Sequence, residues 1–182
     1  MQFLAWQLLY VRAEVIMTKN WYALYVKSRH EFVTQGELIR KGINAFLPTV
    51  KKMNQWKDRK KLVELPLFPG YIFVYLQPYE EGFISVLRTR GAINLLTAEP
   101  GVPRPVPEEE INSLMLVLES GQKVDIYPEL RQGTRVRMKR GPLQGAVGTL
   151  ENREEQYKFL VNIDILGRSV GVMVYADDIE AD

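Results

Sequence analysis

The sequence contains no cysteine, which excludes disulfides, zinc–thiolate sites and thiol catalysis. It has one histidine, so no second histidine can complete a catalytic triad or a histidine metal cluster. No apolar run approaches the roughly 20 residues that a membrane-spanning helix needs, and no P-loop or dinucleotide fingerprint is present. We therefore expect a cytoplasmic protein that is not an enzyme, binds no metal or cofactor and makes no membrane contact.

Excess charge is also scarce, because the formal net charge is +2. No field over the whole protein would attract nucleic acid, so any such contact must come from local patches. Two patches qualify, since cations can bind phosphates and an indole can stack on bases. The alternative for the longer patch is a solvated hairpin. The candidate nucleic-acid-binding residues are Lys27, Arg29, His30, Trp56, Lys57, Arg59, Lys60 and Lys61.

The first 16 residues are apolar and aromatic, with Arg12 and Glu14 after the apolar run. A signal peptide has positive charge before that run and a small-residue cleavage site after it, a pattern that this segment does not match. We predict that Met17 is the natural start and treat residues 1–19 as an N-terminal extension. The rival hypothesis is an additional amphipathic helix that covers a groove.

The next segment alternates strand and helix patterns. Residues 21–26 are aromatic and β-branched, which is typical of a strand. Ser28 and Glu31 have the spacing of a capping box at the start of a helix, and Gly42 is placed to end that helix in the left-handed conformation. The predicted buried stripe of this helix is Phe32, Gly36, Ile39 and Ile43.

A second strand is predicted at residues 45–50, and the basic segment at 51–61 follows as a protruding hairpin or loop. Pro66, Pro69 and Gly70 then indicate a sharp turn before residues 71–76, an apolar run typical of a strand buried on both faces. This turn would place Phe68 and Tyr71 at the rim of a sheet, where aromatic side chains make good docking anchors. The alternative is a core strand with an ordinary loop.

The rest of the chain changes character at Gly133. Before it, Pro107 and three glutamates predict the start of a helix that ends at Gly121, and residues 122–132 look like an interdomain linker. After it, period-two strands with glycine-rich turns predict a small closed barrel. The fold class is therefore α+β, an α/β sandwich at residues 20–121 followed by an all-β domain at 133–182.

These motifs together resemble the NusG-type transcription elongation factors. The amino-terminal resemblance rests on Trp21-Tyr22, on residues 67–71 (Leu-Phe-Pro-Gly-Tyr) and on the helix that begins at Pro107. The carboxy-terminal part is similar to a KOW motif on an SH3-like barrel. The KOW motif residues are Gly133, Val136, Gly141, Pro142, Gly145 and Gly148. Both halves in this order are highly specific, although ribosomal proteins also carry the KOW half.

The sequences of residues 59–71 and 165–170 are similar to those of the specialised RfaH and UpxY paralogues, which are antiterminators. The resemblance implies a monomer that binds the clamp helices of the RNA polymerase β′ subunit, bridges towards the β subunit and suppresses pausing or termination. It also implies non-template DNA as a contact and Rho or the ribosome as a KOW-domain partner. Housekeeping NusG activity and ribosome-type RNA binding are the alternatives. The implied polymerase-binding residues are Tyr22, Phe68, Pro69, Tyr71 and Ile111.

Overall fold

A computed structural model describes residues 18–56, 59–77, 81–99, 101–128, 133–153 and 156–182. The predicted N-terminal extension lies outside the described residues except for Thr18 and Lys19. Within the described ranges, no helix is long and apolar enough to cross a membrane. In chain order the elements are β1 (Asn20–Val26), α1 (Glu31–Arg40), β2 (Asn44–Phe46), β3 (Thr49–Trp56), β4 (Arg59–Pro66), β5 (Tyr71–Leu76), α2 (Glu81–Leu87), β6 (Ala92–Leu95), β7 (Thr97–Glu99), β8 (Val102–Pro103), β9 (Pro105–Val106), α3 (Glu108–Glu119), β10 (Asp125–Pro128), β11 (Thr134–Met138), β12 (Val147–Arg153), β13 (Gln156–Ile163), β14 (Arg168–Val174) and β15 (Ile179–Ala181).

The chain divides into two compact units. The first unit comprises Met1–Leu47 and Pro69–Pro105, and the second comprises Pro48–Phe68 and Val106–Asp182. The β3–β4 hairpin and α3 therefore belong to the second unit. The sequence assigned both to the amino-terminal domain, and its domain boundaries stay a prediction.

The first unit is built on an antiparallel sheet with the strand order β2-β5-β1-β6. Side chains alternate between the faces of a strand, and one face of β1 and β5 packs with helix residues into an apolar core. That core contains Tyr22, Leu24, Val26, Leu38, Ile72, Val74, Leu76 and Val86. The predicted strands at 21–26 and 71–76 are confirmed, and β5 buries side chains on both faces.

Helix α1 corrects two details. The predicted capping box is wrong, because His30 is the N-cap residue without a side-chain cap, and Glu31 bonds elsewhere. The predicted stripe is wrong at Phe32, Gly36 and Ile39, whereas Ile43, which follows the helix, is partly buried against the core. Phe32 and Ile39 are 45% and 56% exposed, whereas Leu38 is fully buried. The periodicity was assigned one residue out of phase, because several apolar residues of α1 lie on the solvent side. Gly42 has the predicted left-handed conformation at the end of the helix.

The second unit contains the β3–β4 hairpin, as predicted for the basic segment, with Thr49 opposite Pro66 and Trp56 opposite Arg59. It also contains a six-stranded antiparallel sheet with the order β10-β14-β13-β12-β11-β15, which we call the C-terminal sheet. This confirms an α/β part followed by an all-β part. The segment predicted as a linker contributes strand β10, which pairs with β14.

Candidate docking surface and nucleic-acid interface

The aromatic residues at the end of β1 and the start of β5 form a pair on the first unit. Tyr25 lies opposite Tyr71 in the strand register, and their ring centroids are 5.4 Å apart. Tyr25 is 40% exposed, Tyr71 is half-buried, and Pro69 beside it is exposed. We call Tyr25, Pro69 and Tyr71 the aromatic rim.

The turn that carries the rim is fixed at both backbone polar groups of Gly70. Its N–H donates to Oε1 of Glu31 over 2.9 Å, and its carbonyl accepts from the N–H of Val26 over 2.8 Å. Gly70 has a φ of 85°, and a Cβ there would lie 3.2 Å from Cε2 of Tyr25. Glycine is therefore suited to this position by both conformation and space.

The structure divides the predicted polymerase-binding residues. Pro69 and Tyr71 lie in the rim, whereas Tyr22, Phe68 and Ile111 are buried, at 3%, 4% and 0% exposure. Tyr22 packs in the apolar core of the first unit. Because these three side chains are buried, they present no docking surface in this structure. Their contact with a polymerase stays a prediction. Sequence reasoning missed Tyr25, although its place in strand β1 directly before the basic residues was visible.

A basic cluster forms where the loop before α1 meets the turn after α2. The N–H of Lys27 donates to the carbonyl of Gly91 over 2.8 Å, and Oγ1 of Thr34 donates to the carbonyl of Arg90 over 2.8 Å. These bonds hold two separate segments together. The exposed members of the basic cluster are Lys27, Arg29, Arg88 and Arg90.

None of these four cations forms an ion pair within the part of the chain that the structure describes. His30, also predicted here, is half-buried, and its Nδ1 lies 3.0 Å from the carbonyl oxygen of Ser28. Sequence reasoning missed Arg88 and Arg90. Both flank Thr89 in an unremarkable turn, and only the tertiary hydrogen bonds bring that turn to α1.

The hairpin residues predicted for nucleic acid can be placed only by backbone. Trp56 and Arg59 pair across the hairpin, and Lys60 and Lys61 follow in β4. Lys57 lies outside the described residues. Lys51 and Lys52, on β3 near them, are exposed. The hairpin and the basic cluster lie in different units, so each is treated as a separate candidate.

The predicted KOW motif begins just before β11, continues through the turn that follows and ends in β12. Val136 is buried in β11, and Gly148 lies opposite it in the register of β12. Within the turn, Gly141 and Gly145 have positive φ. The N–H of Gly145 donates to the carbonyl of Met138 over 2.8 Å. The remaining motif residues, Gly133 and Pro142, precede β11 and lie in the turn, respectively.

Helix α3 packs on the C-terminal sheet within the second unit. Oγ of Ser113, which is 1% exposed, accepts from the buried N–H of Val147 over 2.9 Å. Arg135 on β11 contacts both Glu109 and Asp182. The hydrogen bond from Arg135, joined by one from Arg137, holds the pKa of Asp182 below its ordinary value. Ile111 and Leu114 of α3 are fully buried.

The described residues contain no group of three or more His, Asp or Glu side chains arranged to hold a metal ion. The aromatic rim offers rings for contact with a partner, and the basic cluster offers exposed cations for contact with an anion.

Comparison with known proteins gives a consistent result. Residues 19–115, more than half of the chain, match the family model described as "Transcription termination factor nusG". The transcription termination/antitermination protein NusG of Borreliella burgdorferi is 26% identical over 182 residues, which cover 90% of this chain and 99% of that protein. The protein of the same name from Staphylococcus aureus strain Mu50 is 29% identical over 180 residues, covering 92% and 98%.

A solved structure described as "Domain interaction in Thermotoga maritima NusG" has a similar fold. It superposes with a TM-score of 0.50 at 21% sequence identity and covers 91% of this chain and 98% of that chain. This likeness supports the fold and its order of an α/β part before an all-β part.

Proposed function

This chain belongs to the NusG family of transcription termination/antitermination factors, and we propose that it binds RNA polymerase through the aromatic rim of its first unit. The contact on the polymerase is the pair of clamp helices of the β′ subunit, with a bridge towards the β subunit. An RNA polymerase whose clamp is held closed in this way pauses less, so the factor suppresses pausing or termination. It acts in the cytoplasm as a monomer and catalyses no reaction.

The observation that carries this proposal is the pair formed by exposed Tyr25 and half-buried Tyr71 beside exposed Pro69. Tyrosine is enriched at the energetic centres of protein interfaces, because its ring buries a large area at a small entropic cost. The rim is also held rigidly, since both backbone groups of Gly70 are hydrogen-bonded. A preorganised anchor loses little conformational entropy when it binds.

The basic cluster supports a contact with the non-template DNA strand. Four exposed cations from two segments can follow a phosphate backbone without reading its sequence. The hairpin with Trp56 offers a second candidate, with an indole for stacking on unpaired bases. The C-terminal sheet serves as the adaptor for Rho, the ribosome or another factor.

A binding assay with core RNA polymerase tests the proposal. We expect Tyr71→Ala to weaken binding at least about tenfold, the effect of removing an interface anchor. The thermal unfolding midpoint should change little, because the ring is half-buried. The matched control is Tyr175→Ala, which removes a 71% exposed tyrosine of the second unit. Equal losses of folding and binding for Tyr71→Ala would contradict the docking role.

The housekeeping activity is a second candidate, favoured by the full-length similarity to curated termination/antitermination proteins. In that role the protein assists Rho and couples transcription to translation. In vitro transcription with pause mapping, with and without Rho, separates the two. A specialised antiterminator of the RfaH or UpxY type shortens pauses and increases read-through, whereas the housekeeping factor increases Rho-dependent release.

A further inference from the structure

We infer that Glu31 is the positioning residue of the aromatic rim. Its carboxylate reaches from the first turn of α1 to the turn before β5 and accepts from the N–H of Gly70. The inference deepens the proposed function and rests on it, because the rim must dock for its position to matter.

The burial of Glu31 is the first argument. The residue is 5% exposed, and it forms no ion pair in the part of the chain that the structure describes. Burying a carboxylate is costly unless hydrogen bonds compensate. The position at the first residue of α1 reduces this cost, since the amino-terminal end of a helix favours negative charge.

The geometry of the two hydrogen bonds that hold Gly70 is the second argument. Glu31 fixes the N–H of Gly70 while Val26 fixes its carbonyl, so the peptide groups on both sides of Gly70 have one orientation. Tyr71 is the next residue, and its ring pairs with Tyr25 at 5.4 Å. A hydrogen bond to a carboxylate is stronger than one between neutral groups. When the hydrogen bond to Glu31 is lost, the turn is free to move, and Tyr71 moves with the turn.

The hydrogen bond to Gly70 depends on the length of the Glu31 side chain, and not on its charge alone. Glu31→Gln keeps an acceptor oxygen at the same distance from the backbone, whereas Glu31→Asp keeps the charge and shortens the reach by one methylene. We therefore expect Glu31→Gln to retain binding to core RNA polymerase within about threefold, and Glu31→Ala and Glu31→Asp to lose about tenfold.

A control variant separates positioning from general destabilisation. Leu38→Val removes one methylene from a fully buried side chain of the same helix, about two turns beyond Glu31. Amide hydrogen exchange of Gly70, followed by NMR, reports the hydrogen bond from Gly70 to Glu31 directly and without polymerase. We expect exchange at Gly70 to accelerate in Glu31→Ala and Glu31→Asp but not in Leu38→Val.

The outcomes distinguish the inference from the function beneath it. Weak binding and fast Gly70 exchange in Glu31→Ala and Glu31→Asp, both rescued in Glu31→Gln, support the inference. If Tyr71→Ala loses affinity while Glu31→Ala binds as tightly as Leu38→Val, or if Gly70 exchange is unchanged, the positioning role is overturned and the docking function stands. If Tyr71→Ala and Glu31→Ala both bind normally, the docking function is wrong and the inference falls with it.

Discussion

Leu38 and Ile39 are neighbours in α1 with opposite environments, the first fully buried and the second 56% exposed. We expect Leu38→Ala to lower the free energy of unfolding by about 2–5 kcal/mol, because it leaves a cavity in the core. Ile39→Ala should change it by no more than about 0.5 kcal/mol, since the side chain is solvated. Urea denaturation of both variants measures the difference. Comparable losses would mean that the helix faces the core as the sequence suggested.

At this scale the sequence predicted identities better than orientations. The turn at Pro69 and Gly70 was readable, because few residues other than glycine adopt a positive φ. The partner of Glu31 was not readable, since the capping-box spacing predicts a local bond and the actual acceptor contact spans 39 positions of the chain. Tyr25 and Arg90 entered the candidate sites only when strand register and tertiary hydrogen bonds brought them to Tyr71 and Lys27.

Strand β10 lies in a segment that the sequence predicted as a linker, and it pairs with β14, where the ring of Tyr127 packs on the C-terminal sheet. Tyr127 lies against Gly171 of β14, where a Cβ would approach its Cε2 to 2.9 Å. Nζ of Lys158 lies 3.8 Å from the centroid of the same ring, a cation–π contact. The short strand has little pattern of its own, so its place depends on tertiary contacts, namely the pairing with β14 and the packing of Tyr127.

We expect Gly171→Ala to displace Tyr127 and accelerate amide exchange in β10, with a loss of stability of about 1–3 kcal/mol from overpacking. The same substitution should cost less in a Tyr127→Ala background, where the ring is absent. A double-mutant cycle from chemical denaturation measures this coupling. Additive losses would show that Leu160, whose Cδ2 would also meet the new Cβ at 2.8 Å, is the obstacle instead.

The end of β15 gives the C-terminal sheet a dependence on pH. Arg135 and Arg137 both bond to the carboxylate of Asp182 and lower its pKa. A carboxylate with a lowered folded pKa stabilises the fold above its unfolded pKa of about 3.9, and this contribution disappears as the pH falls through the folded value.

We therefore expect wild type to unfold at higher urea than Asp182→Asn at pH 6.5, with the difference shrinking as the pH falls below about 3.9. Glu180→Gln, which removes an exposed carboxylate of β15 just before Asp182, is the control. A difference between wild type and Asp182→Asn that is constant across this range would contradict the ion pairs as its source. Raised salt should also reduce the difference at pH 6.5, because the groups are near the surface.

For the whole molecule, the family resemblance of the motifs and their order was sufficient to predict the class of protein. An α/β part before an all-β part is what this structure and the solved structure of the Thermotoga maritima protein have in common. The assignment of α3 and the hairpin to units could not be predicted. Their amphipathic patterns indicate that a face is buried but not which surface buries it.

The net charge of +2 predicts that nucleic-acid binding depends on position rather than on total charge. Each cation that neutralises a phosphate of a single strand contributes about 0.7 to the slope of log affinity against log salt. Arg88→Gln with Arg90→Gln should therefore weaken binding to single-stranded DNA and lower the slope by about 1.4. Lys123→Gln with Arg168→Gln removes the same charge from exposed positions of the second unit and should leave the slope unchanged. Equal effects of the two pairs, measured by fluorescence anisotropy from 50 to about 300 mM salt, would assign binding to the overall charge and remove the basic cluster from the interface.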